Sequence, residues 1–291
     1  MNRKFVKDVL SLIGDKGVLI NGKASDIVVK REGRIFAVIA ERNASRIKRG
    51  KVGVLNALAK AIDAIPLIVS EKMGSEKLLE DVIYERFDTP VASPETLNKL
   101  LSGDKIYIRK HKSAFVVSVN PKELKRKRVE SGMSLGALAD YLGVSKKSVY
   151  DYERGESKVS VDVAVKLVEL FGEEVLEEVN FNEFEGVIEP CEPHSPIEAK
   201  LLDRTEGVHV PKGNVHVGKE REFVAVVPHG DEELQWFGEA SKMIDKKAFA
   251  VGFEDLPKDL EGGNVEIARD IEEFVRLLRE GKERDGRQRS A

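Results

Sequence analysis

Residues 135–155, LGALADYLGVSKKSVYDYERG, leave the chain little choice of local structure. Leu135, Leu138, Ala139 and Leu142 recur at helical spacing behind Ser134, whose hydroxyl can accept from a free amide of the first turn. Gly143 follows where a left-handed residue ends a helix without a Cβ penalty. Val144 is apolar and can plug the corner. Ser145 caps a second short helix, in which Val149 and Tyr152 face inward and Lys146, Lys147, Ser148, Tyr150 and Asp151 face outward. Ala139 is small where the two helices must cross closely. Helices this short are not stable alone. Each must bury its stripe against the other and against further helices.

The pattern extends on both sides. Residues 122–131, KELKRKRVES, read as a basic helix. Ser160 caps a further helix through Phe171, with Val163, Ala164, Leu167, Val168 and Phe171 on one stripe. Two short helices joined by a tight turn form a helix-turn-helix, whose second helix enters the DNA major groove. With the ending Tyr152-Glu153-Arg154-Gly155, residues 118–172 resemble the DNA-binding domain of lambda-repressor-like regulators. That resemblance implies that Arg128 pairs with Glu153, that Ser134 and Ser145 lie on phosphates, and that Lys146, Lys147 and Asp151 reach base edges. Asp151 departs from the usual amide or basic residue. It can accept a hydrogen bond from a cytosine amine or repel phosphate. The expected DNA-facing set is Ser134, Ser145, Lys146, Lys147, Ser148, Tyr150 and Asp151. The expected structural set is Arg128, Ala139, Gly143, Val149, Tyr152 and Glu153.

Charge is distributed accordingly. The whole chain carries a formal charge of −3, yet residues 121–158 hold nine basic residues against six acidic ones. Basic charge is therefore placed rather than general, as a DNA footprint requires. No apolar run approaches a bilayer span, the N-terminus lacks a signal-peptide core, and Cys191 is the single cysteine. These features predict a cytoplasmic protein with no membrane attachment, no disulfide framework and no cofactor.

Before Pro121 the chain alternates strands and helices, with a strong helix start at Ser93-Pro94-Glu95 and a hairpin from Lys105 to Val119. The remainder repeats this pattern. GVLINGKASDIVVKREGRIFAVIA from Gly17 aligns with GVHVPKGNVHVGKEREFVAVV from Gly207. AKAIDAIPLIVSE from Ala59 aligns with ASKMIDKKAFAVGFE from Ala240. Between the helical segment and the second copy, residues 167–199 hold ten Glu and no Lys or Arg, which reads as an extended acidic connector.

The α/β segments resemble the core of restriction-endonuclease-like and junction-resolvase-like domains. Those place an Asp at the start of one strand and a Glu-x-Lys set at the end of the next, to hold a divalent metal. Asp26 takes the first position, while Ile39 and Glu41 fall where the Glu and Lys belong. The second copy has Asn214 and Val227-Pro228 instead. Lacking the lysine, both copies read as inactive scaffolds, with no catalytic residue expected; a shifted site using Asp26 with Glu41 is the alternative. The basic run Arg42, Arg46, Lys48, Arg49, Lys51 and Lys60 reads as solvated surface or as added phosphate contacts. His209 and His216 fall opposite each other across a predicted hairpin and are candidate metal ligands, with Cys191 and His194 upstream.

The fold class expected is multidomain: two related small α/β domains of degenerate restriction-endonuclease-like type flanking a lambda-repressor-like helix-turn-helix domain. The expected boundaries are an α/β domain at 1–117, the helix-turn-helix domain at 118–180, an acidic Pro-containing linker at 181–196 and a second α/β domain at 197–291. The whole layout resembles a group of archaeal helix-turn-helix transcriptional regulators. It implies a sequence-specific binder of double-stranded DNA, a homodimer on a palindromic operator, and not an enzyme. Two alternatives remain: a metal-dependent nuclease or junction resolvase delivered by the central domain, or an antitoxin- or adaptor-type interaction protein.

Overall fold

The structure, a computed structural model, describes residues 3–14, 17–19, 26–184, 186, 195–205, 208–210, 215–217, 223–227, 234, 237–238, 240–243, 246–252 and 265–288. It divides into two compact units, residues 1–68 with 186–291, and residues 69–185.

The first unit opens with α1 (Arg3–Ile13), β1 (Gly17–Leu19), β2 (Ile27–Arg31), β3 (Arg34–Ala40), α2 (Arg49–Ala61) and β4 (Ile65–Val69). The strands lie in the order β1-β2-β3-β4, with β1, β2 and β3 antiparallel. Glu32 and Gly33 join β2 to β3, with φ 48° and 73°, the left-handed pair that a two-residue hairpin requires. α2 has no side-chain cap and no acid in its first turn. Packing holds it instead: Val52, Val54, Leu55, Ala57, Leu58 and Ala59 are all buried.

The second unit holds β5 (Lys72–Met73), β6 (Glu76–Lys77), β7 (Val82–Arg86), β8 (Thr89–Ala92), α3 (Pro94–Ser102), β9 (Ile108–His111) and β10 (Ala114–Val119). Five further elements complete it: α4 (Pro121–Glu130), α5 (Leu135–Leu142), α6 (Lys146–Tyr152), β11 (Val159–Ser160) and α7 (Val161–Phe171); β12 (Leu176–Glu177) follows them. Its strands run β8-β7-β9-β10-β11, and β12 also pairs with β10. The helices are thus stitched to the sheet at two places, and their core includes Val117 and Val119 of β10 beside Leu124, Leu138, Val149 and Leu167. Residues 181–184, where an extended connector was expected to begin, are packed. Phe181–Glu183 forms a 3-10 turn, and the Phe184 ring lies 4.2 Å from the Arg109 guanidinium.

The first unit resumes with α8 (Pro196–Thr205), β13 (Val208–Val210), β14 (Val215–Val217), β15 (Phe223–Val226), β16 (Lys247–Val251), β17 (Val265–Ala268) and α9 (Ile271–Gln288). α8 starts on a reciprocal cap: Glu198 N–H donates to Ser195 Oγ, and Ser195 N–H donates to the Glu198 carboxylate. β13, β14 and β15 are antiparallel, while β15-β16-β17 are parallel. A helix, three antiparallel strands and a further strand therefore recur in both halves of this unit. The halves share one core. Val28, Ile35, Val54, Ala57, Leu58 and Ile62 pack with Val224, Val226, Leu234, Phe237, Ala240 and Ala250. Phe274 of α9 is fully buried, edge-on to Phe249 at 5.0 Å, with Leu277 and Leu278 packed alongside, so this stripe is core.

Candidate nucleic-acid interface

Both helices of the α5–α6 pair start on a serine whose side chain caps a free amide. Ser134 Oγ accepts from Ala137 N–H at 3.0 Å, and Ser145 Oγ accepts from Ser148 N–H at 3.0 Å. Gly143 stands at φ 74°, and its amide donates to the Ala139 carbonyl at 2.9 Å. Lys166 reaches over from α7 to donate to the Leu142 carbonyl at 3.1 Å, closing the C-terminal end of α5. Leu138, Ala139, Leu142, Val149 and Tyr152 are buried in one core with α7.

Arg128 on α4 pairs through its Nε and Nη2 with the two oxygens of Glu153, and its Nη1 donates to the Met133 carbonyl at 2.8 Å. The two side chains are only 11% and 7% exposed. Hydrogen bonding to Glu153 holds the guanidinium pKa still higher than usual. This fork ties the end of α6 to α4. Gly155 then turns the chain with φ +70°, and a Cβ there would meet Pro121 Cγ at 3.1 Å.

On the outward face, Lys146 and Tyr150 are exposed. Lys147 is 82% exposed and bonds Asp151 at 2.6 Å, one helical turn on. Tyr150 lies beneath Arg154, whose Nη1 donates to the tyrosine hydroxyl at 3.2 Å. Ser148 is half-buried and shares a hydrogen bond with Ser145 at 2.9 Å, so it faces its own cap rather than open solvent.

The nine basic residues of 121–158 are not equivalent. Arg126 is clasped by Glu123 and Glu130, Lys127 by Glu174, Arg128 by Glu153, Lys147 by Asp151, Arg154 by Glu156 and Lys158 by Glu183. Lys122, Lys125 and Lys146 are exposed and make no ion pair among the described residues. The net charge of the segment does not say which cations are free; the ion pairs do, and they leave these three lysines.

A second cluster lies at the head of β2. Asp26 is 2% exposed, and its Oδ2 accepts from Ala40 N–H at 2.9 Å and from Lys51 Nζ at 3.5 Å. Its Oδ1 is buried with no hydrogen-bond partner among the described residues. Burial raises the Asp26 pKa above its ordinary 3.8, Lys51 opposes that shift, and the charge of Glu41 adds to it. Residue spacing leaves the lysine of a nuclease-like set missing, yet Lys51 supplies one in space from α2. It sits in a basic run that reads as surface, and no spacing rule within the strand could have found it. The donor set fits a divalent ion: an orphaned buried carboxylate oxygen, with Glu41 close enough to perturb it.

His209 and His216 are direct partners in the β13–β14 register. Cys191, His194 and His229 lie outside the described residues. Among the described residues no three His, Cys, Asp or Glu side chains gather as a metal group, and no helix is long and apolar enough to cross a membrane.

Two segments of the chain match known protein families. Residues 2–106 match the PD-(D/E)XK superfamily domain, and residues 124–177 match the helix-turn-helix family. An Aeropyrum pernix protein named "Putative HTH-type transcriptional regulatory protein" is 33% identical over 198 residues, 67% of this chain and 58% of that protein. One of the same name from Sulfurisphaera tokodaii is 37% identical over 159 residues, 54% of this chain and 51% of that protein. One from Saccharolobus islandicus is 29% identical over 201 residues, 66% of this chain and 62% of that protein. The chain therefore spans little more than half the length of the first two relatives. No solved structure matches it. The chain thus carries a PD-(D/E)XK superfamily domain followed by a helix-turn-helix domain, and it is similar to archaeal proteins named as HTH-type transcriptional regulatory proteins.

Proposed function

We propose that the chain is a transcriptional regulator that binds double-stranded DNA in a sequence-specific way, as a homodimer on a palindromic operator, with α6 as the recognition helix. The observation that carries this reading is the α5–α6 pair. It is capped at each end, fixed at its exit by the buried Arg128–Glu153 fork, and presents Lys146, Lys147 and Tyr150 outward. A rigid scaffold beneath a small set of polar side chains is what direct base readout needs. One such helix reads few base pairs; two related by a two-fold axis, roughly 34 Å apart, give useful discrimination.

Binding-site selection with Lys146→Ala and Lys147→Ala tests it. Each variant is expected to fold normally and to lose about tenfold to a hundredfold discrimination at one base position. Selection of the parent operator by both variants, unchanged in strength, would remove α6 from the role. The dimer is tested by sedimentation of the full chain. Truncation near Phe181 is a poor substitute, because it strips Val224, Phe237 and Ala250 from the core that α2 shares with the second copy.

One observation favours a second reading, metal-dependent cleavage of DNA by the N-terminal domain: the orphaned Asp26 Oδ1 beside Glu41 and Lys51. Asp26 and Glu41 would hold the ion, which in such a site activates water and screens phosphate charge. Lys51 neutralises the Asp26 carboxylate and orients its Oδ2. Incubating supercoiled DNA with the chain and manganese decides the matter: cleavage abolished by Asp26→Ala supports an enzyme, and intact DNA leaves the regulator alone.

A further inference from the structure

The second unit contains a cleft of about 470 Å³ that none of the DNA-facing residues enters. Its floor is aliphatic. Ile108 and Val117 come from the β9–β10 hairpin, and Ala164, Val165 and Val168 from α7. Val165 is 52% exposed, a large valine surface left uncovered on a helix whose other face is core. The size falls within the range of small-molecule sites, about 300–1,000 Å³.

The rim is polar and predominantly acidic. Asp81, Asp104, Glu169 and Glu173 stand there with Lys99 and Lys105. Lys99 is already held by Asp81 at 2.8 Å and Glu80 at 3.1 Å. Asp104 and Glu169 make no ion pair among the described residues, and Lys105 is the one rim cation so placed. The same negative field acts on Tyr107, whose hydroxyl bonds Glu173. Burial, that bond and the charges of Glu173 and Glu178 push its pKa up to about 12. Such a rim repels nucleic-acid phosphate and fatty carboxylates, and it attracts a cation. The valine floor in turn disfavours a cation without an apolar body.

We propose that this cleft binds a small amphipathic amine, with its aliphatic body on Val117, Ala164, Val165 and Val168 and its ammonium among Asp104, Glu169 and Glu173. The floor is the outer face of α7. The inner face of the same helix, through Val163, Leu167 and Phe171, packs with Leu138, Ala139 and Leu142 of the helix pair. The ligand therefore touches the wall on which the recognition helix is built.

Calorimetric titration of the full chain at pH 7 with n-octylamine, n-octanol and n-octanoate tests the site. Octylamine is expected to bind at least tenfold more tightly than octanoate, with octanol between them. Val165→Arg, at a half-exposed position, should remove octylamine binding, and Glu169→Lys, at an exposed one, should weaken it severalfold. Equal affinity for octylamine and octanoate overturns the cationic assignment. Octylamine binding that survives both substitutions, or no binding by the parent chain, overturns the site. A parent chain that sediments as an oligomer and becomes smaller with Val165→Arg makes the valine floor an interface between copies, which also overturns it. Should Val165→Arg not fold, the Glu169→Lys titration and the three-probe series still decide.

Discussion

The helix pair at 135–152 and the strand pair at 27–40 each carry the signature of a known domain family, but they differ in where their determinants sit. In the helix pair the caps and turn are local. Ser134, Gly143 and Ser145 cap what stands within four residues of them, and the longer ties, Arg128 to Glu153 and Lys166 to the Leu142 carbonyl, stay within one helical core. In the strand pair the chemistry is assembled from separate elements. Asp26 heads β2, Ala40 ends β3, and Lys51 arrives from α2, 25 residues along the chain. Local determinants survive reading from a sequence, whereas assembled ones do not.

The largest test of that contrast is Arg128→Ala or Glu153→Ala. Each strands a nearly buried charge, and breaking such a pair on one side costs about 3–5 kcal/mol. Chemical denaturation of the single and double variants measures the coupling. A coupling near zero would mean that the fork holds nothing, and that the helix pair stands on its caps alone.

The two glycines of the helical region should differ from each other. Gly143→Ala meets open space, with only Lys166 Nζ at 3.8 Å, so its cost is the left-handed backbone, roughly 1 kcal/mol. Gly155→Ala adds a contact with Pro121 at 3.1 Å and should cost more. Equal losses on denaturation, or a smaller one at Gly155, would show that the junction between α6 and the start of α4 yields easily.

The strand pair is tested by pH. The folded pKa of Asp26 lies above its ordinary 3.8, so the stability that this raised pKa confers is fully present below pH 3.8 and lost as pH rises through the folded value. Asp26→Asn cannot ionise and keeps an acceptor for Ala40 N–H. Its stability relative to the parent should therefore grow as pH rises from about 4 toward neutrality. Manganese should reverse the order by stabilising the parent, whose ionised carboxylate it favours, and not the variant. A flat difference across pH, together with no response to manganese, would mean that Lys51 fully offsets the burial of Asp26 and that no ion binds there.

Legibility follows the same line. The helices at 121–130, 135–142, 146–152 and 161–171 were readable because caps and stripes repeat within a turn or two. The three antiparallel strands and the helix of each α/β half were readable because their alternation recurs at Gly17 and at Gly207. The core shared by the two halves was not, since nothing in either apolar stripe says whether it is covered by its own sheet, a second chain or the other half. The stripe of Phe274, Leu277 and Leu278 has the same ambiguity, resolved only by Phe249 and Leu201 lying against it. Charge was legible as a sum and illegible as a pattern. Whether a lysine is free depends on whether a carboxylate from another turn or element can reach it.

Among the cations of the helical segment, Lys122, Lys125 and Lys146 make no ion pair among the described residues, while Arg126 is held by Glu123 and Glu130, each at 2.7 Å. A lysine that neutralises a phosphate releases a counterion and contributes about one unit to the slope of log affinity against log salt. An arginine already chelated by two carboxylates brings no net positive charge and contributes almost nothing. Lys125→Ala should therefore flatten the salt dependence of DNA binding by about one unit, whereas Arg126→Ala, its neighbour on α4, should leave the slope nearly unchanged. Affinities measured from low to high salt for both variants separate the two cases. Equal slopes for Lys125→Ala and Arg126→Ala would mean that DNA strips Arg126 from its carboxylates, and that the pattern of ion pairs in the free protein does not decide which cations meet the phosphates.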